Sequence, residues 1–249
     1  MEKIAYRPES LTNTPFTYCP GCMHGVAHRL IAEAIDEQGL INLMAGVAPV
    51  GCSVFAYKFF NFDMAQAAHG RAPAVATGMK RARPNMHVFT YQGDGDLAAI
   101  GTAEIVHAAN RGEHISVFFV NNAIYGMTGG QMAPTTLPNM KTTTSPYGRD
   151  TDDIGFPIRV CELLDTLVAP YYIERVSLLS TPDILKAKKA VSKAIQYNKE
   201  GRGFTFIEFV STCPTNWGLD PVKSREWAKE NMLPFFKPGI FRDKGEGAE

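Results

Sequence analysis

The sequence has no surplus of basic residues, no long apolar run and no internal repeat. Lysine plus arginine and aspartate plus glutamate number 25 each, so the formal net charge is zero. Nucleic acid is therefore not an expected partner, because no basic excess is present to neutralise phosphates. No apolar run approaches the roughly 18 residues of a membrane span, and the first residues lack the apolar core of a signal peptide. We expect a cytoplasmic protein with no membrane partner.

Cysteine is also scarce, with five residues in 249. Structural disulfides are rare in cytoplasmic proteins, so metal, cluster or redox use is the first hypothesis for these thiols. The length suits one sizeable α/β domain, and the apolar content of 45% is ordinary for a globular protein. The cysteines are Cys19, Cys22, Cys52, Cys161 and Cys213.

Two apolar runs, His87–Tyr91 and Ile115–Val120, are followed by polar clusters. The first ends in the Gly-Asp-Gly motif at 93–95, and the second ends in the double asparagine at 121–122. An amphipathic segment lies between them, so strand, helix, strand is the simplest interpretation, with the two strands parallel. Both clusters would then lie at the carboxyl edge of the sheet, where ligands bind in open α/β folds.

The residues of these clusters suit a magnesium ion that holds a diphosphate. Mg²⁺ prefers oxygen ligands from carboxylates, carbonyls and phosphates. Asp94 offers a carboxylate, Asn122 an amide oxygen and Ile124 a backbone carbonyl. The alternative is a solvent-facing turn that contains aspartate and glycine for ordinary turn reasons. Glycines nearby allow close backbone approach to a ligand; they are Gly93, Gly95, Gly126, Gly129 and Gly130.

A Cys-Pro-Gly-Cys motif at 19–22 precedes a helix that we predict from His24 to Gln38. Three uses compete for it. A dithiol redox site would want a strand before the motif. A zinc site would add His24 or His28. An iron–sulfur cluster would need two more thiolates.

Cys52 and Cys213 are candidates for those two thiolates. Each follows a strand-like apolar run, Ile41–Val47 and Phe204–Val210 respectively. In a parallel sheet both would lie at the edge predicted for the Gly-Asp-Gly motif. The residues alone leave cluster and zinc open, with free structural thiols as a third interpretation.

Two further segments border the predicted site. His69-Gly70-Arg71 opens a predicted helix through Thr77 to Lys80 and suits either a phosphate cradle or a capping turn. The aromatic run Val54–Phe62 follows Cys52-Ser53 and suits either core or interface packing, or an apolar wall near a substrate. We predict Lys58 to be a solvated surface residue.

The remaining chain alternates predicted elements with one long loop. We predict helices over 158–168 and Pro182–Asn198, and a strand over 171–176. The polar loop 132–153 is long enough to be functional or interfacial, and we place most of it at a contact with a partner subunit. The segment from Trp227 to Phe236 is predicted to dock on another chain.

Together these motifs resemble a known family. CPGC, GCS, HGR, GDGD, the NN–IYG–TGGQ run and the late cysteine are similar to the β subunit of 2-oxoacid:ferredoxin oxidoreductases, of the 2-oxoisovalerate or 2-oxoglutarate type. The resemblance runs from about Tyr18 to about Phe241. It implies the thiamine diphosphate-binding fold, an α/β structure with a mainly parallel sheet flanked by helices. We expect one domain of the diphosphate-binding type over 1–249, with an N-terminal CxxC loop and a C-terminal docking tail.

The resemblance also implies the site residues. Cys19, Cys22, Cys52 and Cys213 would hold one 4Fe–4S cluster, whereas Cys161 would be a core residue. Asp94, Asn122 and the Ile124 carbonyl would hold Mg²⁺. The resemblance assigns no catalytic residue beyond those that contact thiamine diphosphate, namely Val50, Gly51, Cys52, Ser53, His69, Gly70, Gly95, Asp96, Gly126 and Met127.

The implied reaction is oxidative decarboxylation of a 2-oxoacid with coenzyme A, with electrons passing through the cluster to ferredoxin. Within this family the aromatic run Val54–Phe62 resembles the 2-oxoisovalerate type, which implies that substrate, and the 2-oxoglutarate type is a close second. No segment matches the second domain that binds the aminopyrimidine of the cofactor. Hence we expect an α subunit, with γ or δ subunits, as partners. The alternatives are a non-oxidative thiamine diphosphate decarboxylase or synthase and a zinc-stabilised binding module.

Overall fold

One seven-stranded sheet organises the protein in a computed structural model that describes residues 6–245. Its strands are β1 (Met44–Ala48), β2 (Asp63–Gln66), β3 (His87–Gly93), β4 (Ile115–Asn121), β5 (Tyr172–Ser177), β6 (Thr205–Val210) and β7 (Gly239–Asp243). Their order is β2-β1-β3-β4-β6-β5-β7. All neighbours are parallel except β5 and β7, which pair antiparallel. This confirms the predicted α/β fold with a mainly parallel sheet.

Helices cover both faces of the sheet. They are α1 (His24–Glu37), α2 (Ala56–Phe59), α3 (Ala72–Ala82), α4 (Thr102–Asn110), α5 (Thr151–Ile154), α6 (Val160–Asp165), α7 (Thr181–Lys199), α8 (Pro214–Trp217), α9 (Pro221–Trp227) and α10 (Leu233–Phe235). In the part of the chain that the structure describes, no helix is long and apolar enough to cross a membrane.

The central strands are apolar throughout because both faces are covered. Every residue of β4 is buried. Phe118 and Val120 face the core beneath α1 and α7, whereas Val117 and Phe119 face the core beneath α3, α4 and α6. Burial on both sides therefore fixes β4 at the centre of the sheet, with its carboxyl end beside that of β3.

Most predicted elements are present, with shifted ends. The predicted first strand begins three residues late, because Ile41–Leu43 forms a 3₁₀ turn before β1. The helix predicted over 158–168 is shorter, Val160–Asp165. The amphipathic segment after the Gly-Asp-Gly motif begins with a π-helical turn, Asp96–Ile100, before α4. The edge strands β2 and β7 were not predicted, since short edge strands carry little apolar pattern.

The long loop 132–153 is held by one buried arginine. The Arg149 guanidinium donates to the carbonyls of Ala133, Pro134 and Thr136 at 3.3, 3.0 and 2.8 Å. It also donates to the carbonyls of Gly155 and Phe156 at 2.9 and 3.1 Å. Five hydrogen bonds from one planar group fix the path of a segment without regular structure. Its contact with a partner subunit stays a prediction.

The segment predicted to dock on another chain packs partly onto its own chain. Ala228, Met232 and Phe236 are fully buried in a third apolar cluster that includes Ala123 and Ile124. This cluster supports the loop that follows β4.

Candidate functional site

The carboxyl ends of β1, β3 and β4 frame one cleft of about 120 Å³. The loop after β1 gives one wall, the Gly-Asp-Gly motif gives the floor, and the loop after β4 gives the opposite wall. Twelve of its lining residues were predicted to touch cofactor or metal. They are Val50, Gly51, Cys52, Ser53, His69, Asp94, Gly95, Asp96, Asn122, Ile124, Gly126 and Met127.

Two side-chain oxygens converge on one backbone amide at the floor of this cleft. The Ile124 N–H donates to Asp94 Oδ2 at 3.2 Å and to Asn122 Oδ1 at 3.4 Å. The second oxygen of Asp94 accepts from the Gly95 N–H at 2.8 Å. Asp94 is 3% exposed and Asn122 is 7% exposed. A carboxylate and an amide oxygen side by side are the donor set that Mg²⁺ takes from protein, so the residues fit the predicted ion.

Asp94 has one partner that the sequence did not indicate. The Thr135 hydroxyl donates to Asp94 Oδ2 at 2.7 Å. Burial raises the pKa of Asp94 to about 6, and the hydrogen bonds from Thr135, Gly95 and Ile124 oppose that rise. A bound cation would remove much of the cost of this buried charge.

A second carboxylate, Asp96, ties the cleft floor to the segment before α3. Asp96 Oδ1 accepts from the Gly70 N–H at 2.6 Å and pairs with His69 Nδ1. Gln92 donates to the other oxygen at 2.7 Å. His69 and Gly70 therefore lie beside Asp96 at the cleft floor. Their contact with the cofactor stays a prediction.

Gly70 also touches the π-helical turn that follows Asp96. Its φ of +78° favours glycine, and a Cβ built on it would lie 2.7 Å from the Gly101 nitrogen. A side chain at Gly101 is excluded for the same reason, because its Cβ would lie 2.8 Å from the Gly70 carbonyl oxygen. Backbone thus packs directly on backbone, which explains why glycine occurs at both positions.

The segments that carry four of the five cysteines meet beside the cleft. Thr212, next to Cys213, donates to the Gly21 carbonyl at 2.7 Å and so holds the loop that contains Cys19 and Cys22. The hydroxyl of Tyr18 lies 3.2 Å from the Cys52 carbonyl and donates to it. The predicted convergence of the cysteine-bearing segments at one sheet edge is therefore present.

Gly126 brings two of the thiols to the wall of the cleft. A Cβ built on Gly126 would lie 3.3 Å from Cys52 Sγ and 3.6 Å from Cys213 Sγ. Asn216 donates to the Gly126 carbonyl at 2.8 Å and to Cys213 Sγ at 3.3 Å. Gly126 also lines the cleft, as does Cys52, so the predicted diphosphate site borders the cysteines directly.

The thiols repel one another as thiolates. Burial raises the pKa of Cys22 to about 12, with further increases from Cys213, Cys52 and Cys19. Burial likewise raises the pKa of Cys52 to about 11, with contributions from Cys213 and Cys19. A cationic iron–sulfur unit would reverse this repulsion, since thiolates are the ligands such clusters take. The thiol chemistry thus fits the predicted cluster.

A zinc ion is the alternative for these thiols. Zinc needs its ligands at about 2.0–2.3 Å from one point. Within residues 6–245 no three His, Cys, Asp or Glu side chains are grouped closely enough to hold a metal ion, which applies to zinc and to the cluster alike. His24 and His28, the extra zinc ligands considered, have other partners: His24 Nδ1 lies 2.6 Å from the Tyr91 hydroxyl and His28 Nε2 lies 2.8 Å from the Tyr18 hydroxyl. Assignment of the four cysteines to a cluster stays a prediction.

Cys161 was predicted to be a core residue and Lys58 a surface residue, and the structure confirms both. Cys161 is fully buried in the core beneath α6. In the aromatic run, Phe59 and Phe60 are core residues, whereas Tyr57 is exposed. The ammonium of Lys58 lies 5.2 Å from the centre of the Phe55 ring, at the surface.

Four positioning side chains escaped prediction, three of them because their partners are distant in sequence. They are Gln92, Thr135, Glu208 and Asn216. Only Glu208 leaves a signal, as a charged residue inside an apolar strand.

The site lies in a segment with clear relatives. Residues 49–209 match the family described as thiamine pyrophosphate enzyme, C-terminal TPP binding domain. The chain is 49% identical to the ketoisovalerate oxidoreductase subunit VorA of Methanothermobacter marburgensis, over 100% of this chain and 54% of that protein. It is 36% identical to the 2-oxoglutarate synthase subunit KorB of Methanocaldococcus jannaschii, over 88% of this chain and 79% of that subunit. The chain spans about half the length of the VorA relatives it matches.

A solved structure is similar over most of the chain. It is the 2-oxoglutarate:ferredoxin oxidoreductase from Magnetococcus marinus with 2-oxoglutarate, coenzyme A and succinyl-CoA bound. The TM-score is 0.80 over 98% of this chain and 87% of that chain, at 25% identity.

Proposed function

The chain belongs to the thiamine diphosphate-binding family of 2-oxoacid:ferredoxin oxidoreductase subunits, and we propose that it forms the β subunit of such an enzyme. With its partners it would convert a 2-oxoacid and coenzyme A to an acyl-CoA and carbon dioxide. Two electrons would leave through a 4Fe–4S cluster on this chain to ferredoxin. The observation that supports this most is the position of Gly126, which lines the cleft and faces the sulfurs of Cys52 and Cys213.

Each end of the cleft has a distinct task in this proposal. Asp94, Asn122 and the Ile124 carbonyl would hold Mg²⁺ and, through it, the diphosphate. Gly70, Gly95 and Asp96 would border the diphosphate where backbone must come close. When bound, thiamine diphosphate supplies the electron sink for cleavage of the carbon–carbon bond.

The other wall would guide electrons. Val50, Gly51 and Ser53 flank Cys52 in sequence and line the cleft, and Gly126 lines it beside the Cys52 and Cys213 sulfurs. Gly126 has no side chain, and a Cβ built there would lie within 3.6 Å of both sulfurs, so a cofactor in the cleft would lie close to them. Transfer of electrons one at a time to iron would then need no mobile carrier.

The substrate class is also part of the proposal. VorA relatives are named for ketoisovalerate and KorB relatives for 2-oxoglutarate. The higher identity to VorA and the aromatic run at 54–62 favour ketoisovalerate. A second domain for the aminopyrimidine would come from another segment or subunit, as would the contacts to coenzyme A.

The test is a joint analysis of one sample. The chain is purified anaerobically with its co-purifying partners, and iron, acid-labile sulfide, zinc and thiamine diphosphate are measured together. About four irons and four sulfides for this chain, with bleaching of the cluster absorbance by ketoisovalerate and coenzyme A, are expected. Stoichiometric thiamine diphosphate with no iron would instead indicate a non-oxidative decarboxylase or synthase. Zinc without sulfide or thiamine diphosphate would indicate a binding module.

A further inference from the structure

A row of buried polar side chains crosses the sheet beneath the predicted metal site. Arg175 on β5 and Glu208 on β6 are register partners, and Asn121 ends the next strand, β4. All three side chains are fully buried. Burying charged groups costs free energy unless they are paired and hydrogen-bonded. The contacts among these three side chains therefore indicate a specific role. We call these three residues the positioning row.

The contacts form a chain that begins at the Arg175–Glu208 ion pair and ends at the Asn121 side-chain amide. Arg175 Nε lies 2.9 Å from Glu208 Oε2. The contact is ionic rather than a directed hydrogen bond, because neither atom has a hydrogen-bond partner. The other oxygen, Glu208 Oε1, accepts from Asn121 Nδ2 at 2.8 Å. A carboxylate can only accept hydrogen bonds. The NH₂ end of the Asn121 amide must therefore face Glu208.

That choice sets the turn that carries the metal-site residues. With its NH₂ directed at Glu208, Asn121 presents Oδ1 to the Ala123 N–H at 3.2 Å. Ala123 has a φ of +60°, which is unfavourable for a residue with a Cβ. Immediately after it, the Ile124 N–H meets Asn122 Oδ1 and Asp94 Oδ2. Two successive side-chain-to-backbone turns therefore place Asn122 and Ile124, and the first depends on the amide orientation.

We propose that Arg175 and Glu208 are positioning residues for the magnesium site, acting through the orientation of the Asn121 amide. The inference rests on the proposed function, since it assigns Mg²⁺ to Asp94, Asn122 and Ile124. Arg175 holds the negative charge of Glu208 in place, Glu208 orients Asn121, and Asn121 holds the strained turn at Ala123.

The substitution Glu208→Gln changes the charge and the hydrogen bonding of this side chain but not its size, so it distinguishes the orienting role from simple filling of space. The Gln side chain has the same size, but the positive charge of Arg175 attracts its carbonyl oxygen and leaves its NH₂ toward Asn121. The Asn121 amide must then rotate to accept, which places its own NH₂ against the Ala123 N–H. Two donors would face each other and the turn would open. The single substitution Asn121→Asp places a second carboxylate against that of Glu208. The repulsion between them should also open the turn at Ala123.

The double variant Asn121→Asp with Glu208→Gln should restore the turn. An Asp at 121 accepts from the Gln at 208 with one oxygen and from the Ala123 N–H with the other. The number of charges equals that of the wild type. A role limited to filling space predicts no such rescue. Glu162→Gln is the matched control, because Glu162 also pairs with Arg175, at 2.6 Å, without touching Asn121.

Two measurements on the purified complex test the inference. In the first, the Mg²⁺ concentration that supports thiamine diphosphate binding is determined by calorimetry. We expect a 10–100-fold increase for each single variant, the range for residues that orient metal ligands, and a return to within about threefold of wild type for the double variant. Glu162→Gln should also stay within about threefold. An unchanged Glu208→Gln, or a double variant no better than the singles, would overturn the proposal.

The second measurement does not need the metal. Hydrogen exchange of residues 121–124 in the cofactor-depleted complex should speed up in Glu208→Gln and return to the wild-type rate in the double variant. Unchanged exchange in Glu208→Gln would contradict the inference. Wild-type protein that exchanges as expected but binds no Mg²⁺ and thiamine diphosphate would contradict the proposed function instead. If a single variant does not fold, the double variant still tests the inference. A turn that stays open in the folded double variant would refute the amide-orientation role.

Discussion

Thr135 and Asp94 are joined by a hydrogen bond of 2.7 Å across 41 positions of sequence. Thr135 lies in the loop that Arg149 organises, and Asp94 lies at the end of β3. The loop is thereby tied to the floor of the cleft. The N–H groups of Gly95 and Ile124 also donate to the Asp94 carboxylate, and the Ile124 N–H donates to the Asn122 amide oxygen as well.

Thr135→Val should weaken Mg²⁺-dependent binding of thiamine diphosphate by about 10–100-fold, because it removes a hydrogen bond that orients a metal ligand. Calorimetric titration of Mg²⁺ checks this. Thr142→Val is the control: Thr142 lies in the same loop but pairs with Ser145 rather than with Asp94. Equal losses in the two variants would mean that loop folding, not the contact to Asp94, is responsible.

Gly70→Ala and Gly78→Ala should have opposite effects on stability. At Gly70 a Cβ would meet the Gly101 backbone at 2.7 Å and φ is +78°, so we expect a loss of about 2 kcal/mol or more. Gly78 lies inside α3 with open space around its Cβ position, so alanine there should add about 0.5–1 kcal/mol. Thermal unfolding of the two variants measures the contrast. A neutral Gly70→Ala would show that the backbone of the π-helical turn can move.

Cys213→Ala and Cys161→Ala should differ in iron content. Cys213 Sγ lies beside Gly126 and Cys52, whereas Cys161 is in the core under α6. We expect Cys213→Ala to lose most of the cluster iron and sulfide, since four thiolates are the usual ligands. Cys161→Ala should keep both. Iron and sulfide are measured on anaerobically purified complexes. Retention of all iron in Cys213→Ala would remove this cysteine from the predicted ligand set.

Glu162 should make the protein sensitive to acid. Burial raises the pKa of this carboxyl, but the Arg175 guanidinium outweighs burial and holds the pKa below its usual value of 4.5. A carboxyl with a lowered pKa in the folded state stabilises above its unfolded-state pKa and loses that effect as the pH falls through the folded-state value. Glu162→Gln should therefore cost about 1 kcal/mol near pH 7.

The difference between wild type and Glu162→Gln should shrink as the pH falls below 4.5. Urea unfolding at pH 7 and at points between pH 5 and pH 3.5 gives the two free energies. A difference that stays constant over this range would mean that Glu162 does not titrate in the folded protein with a lowered pKa.

The sequence predicted the site where its parts are local. Asp94 and Asn122 each follow an apolar run, and parallel pairing of β3 with β4 brings strand ends together without further information. Thr135 was not predictable, since nothing in a polar loop indicates which hydroxyl reaches back to β3. Gly126 was predicted to contact the cofactor, but its contact with two sulfurs depends on how α8 packs. Glu208 was passed over within an apolar strand, although an unpaired charge there would be too costly to bury.

The cysteines also constrain when the protein can mature. Cys19 and Cys22 are made early, but Cys213 follows β6 and leaves the ribosome only after six strands of the sheet have been synthesised. Parallel strands pair through contacts distant in sequence, which form slowly. A cluster held by all four thiols would therefore have to be loaded late, after β6 has been made and its strand ends have come together. During that interval the thiols would depend on the reducing state of the cell for protection.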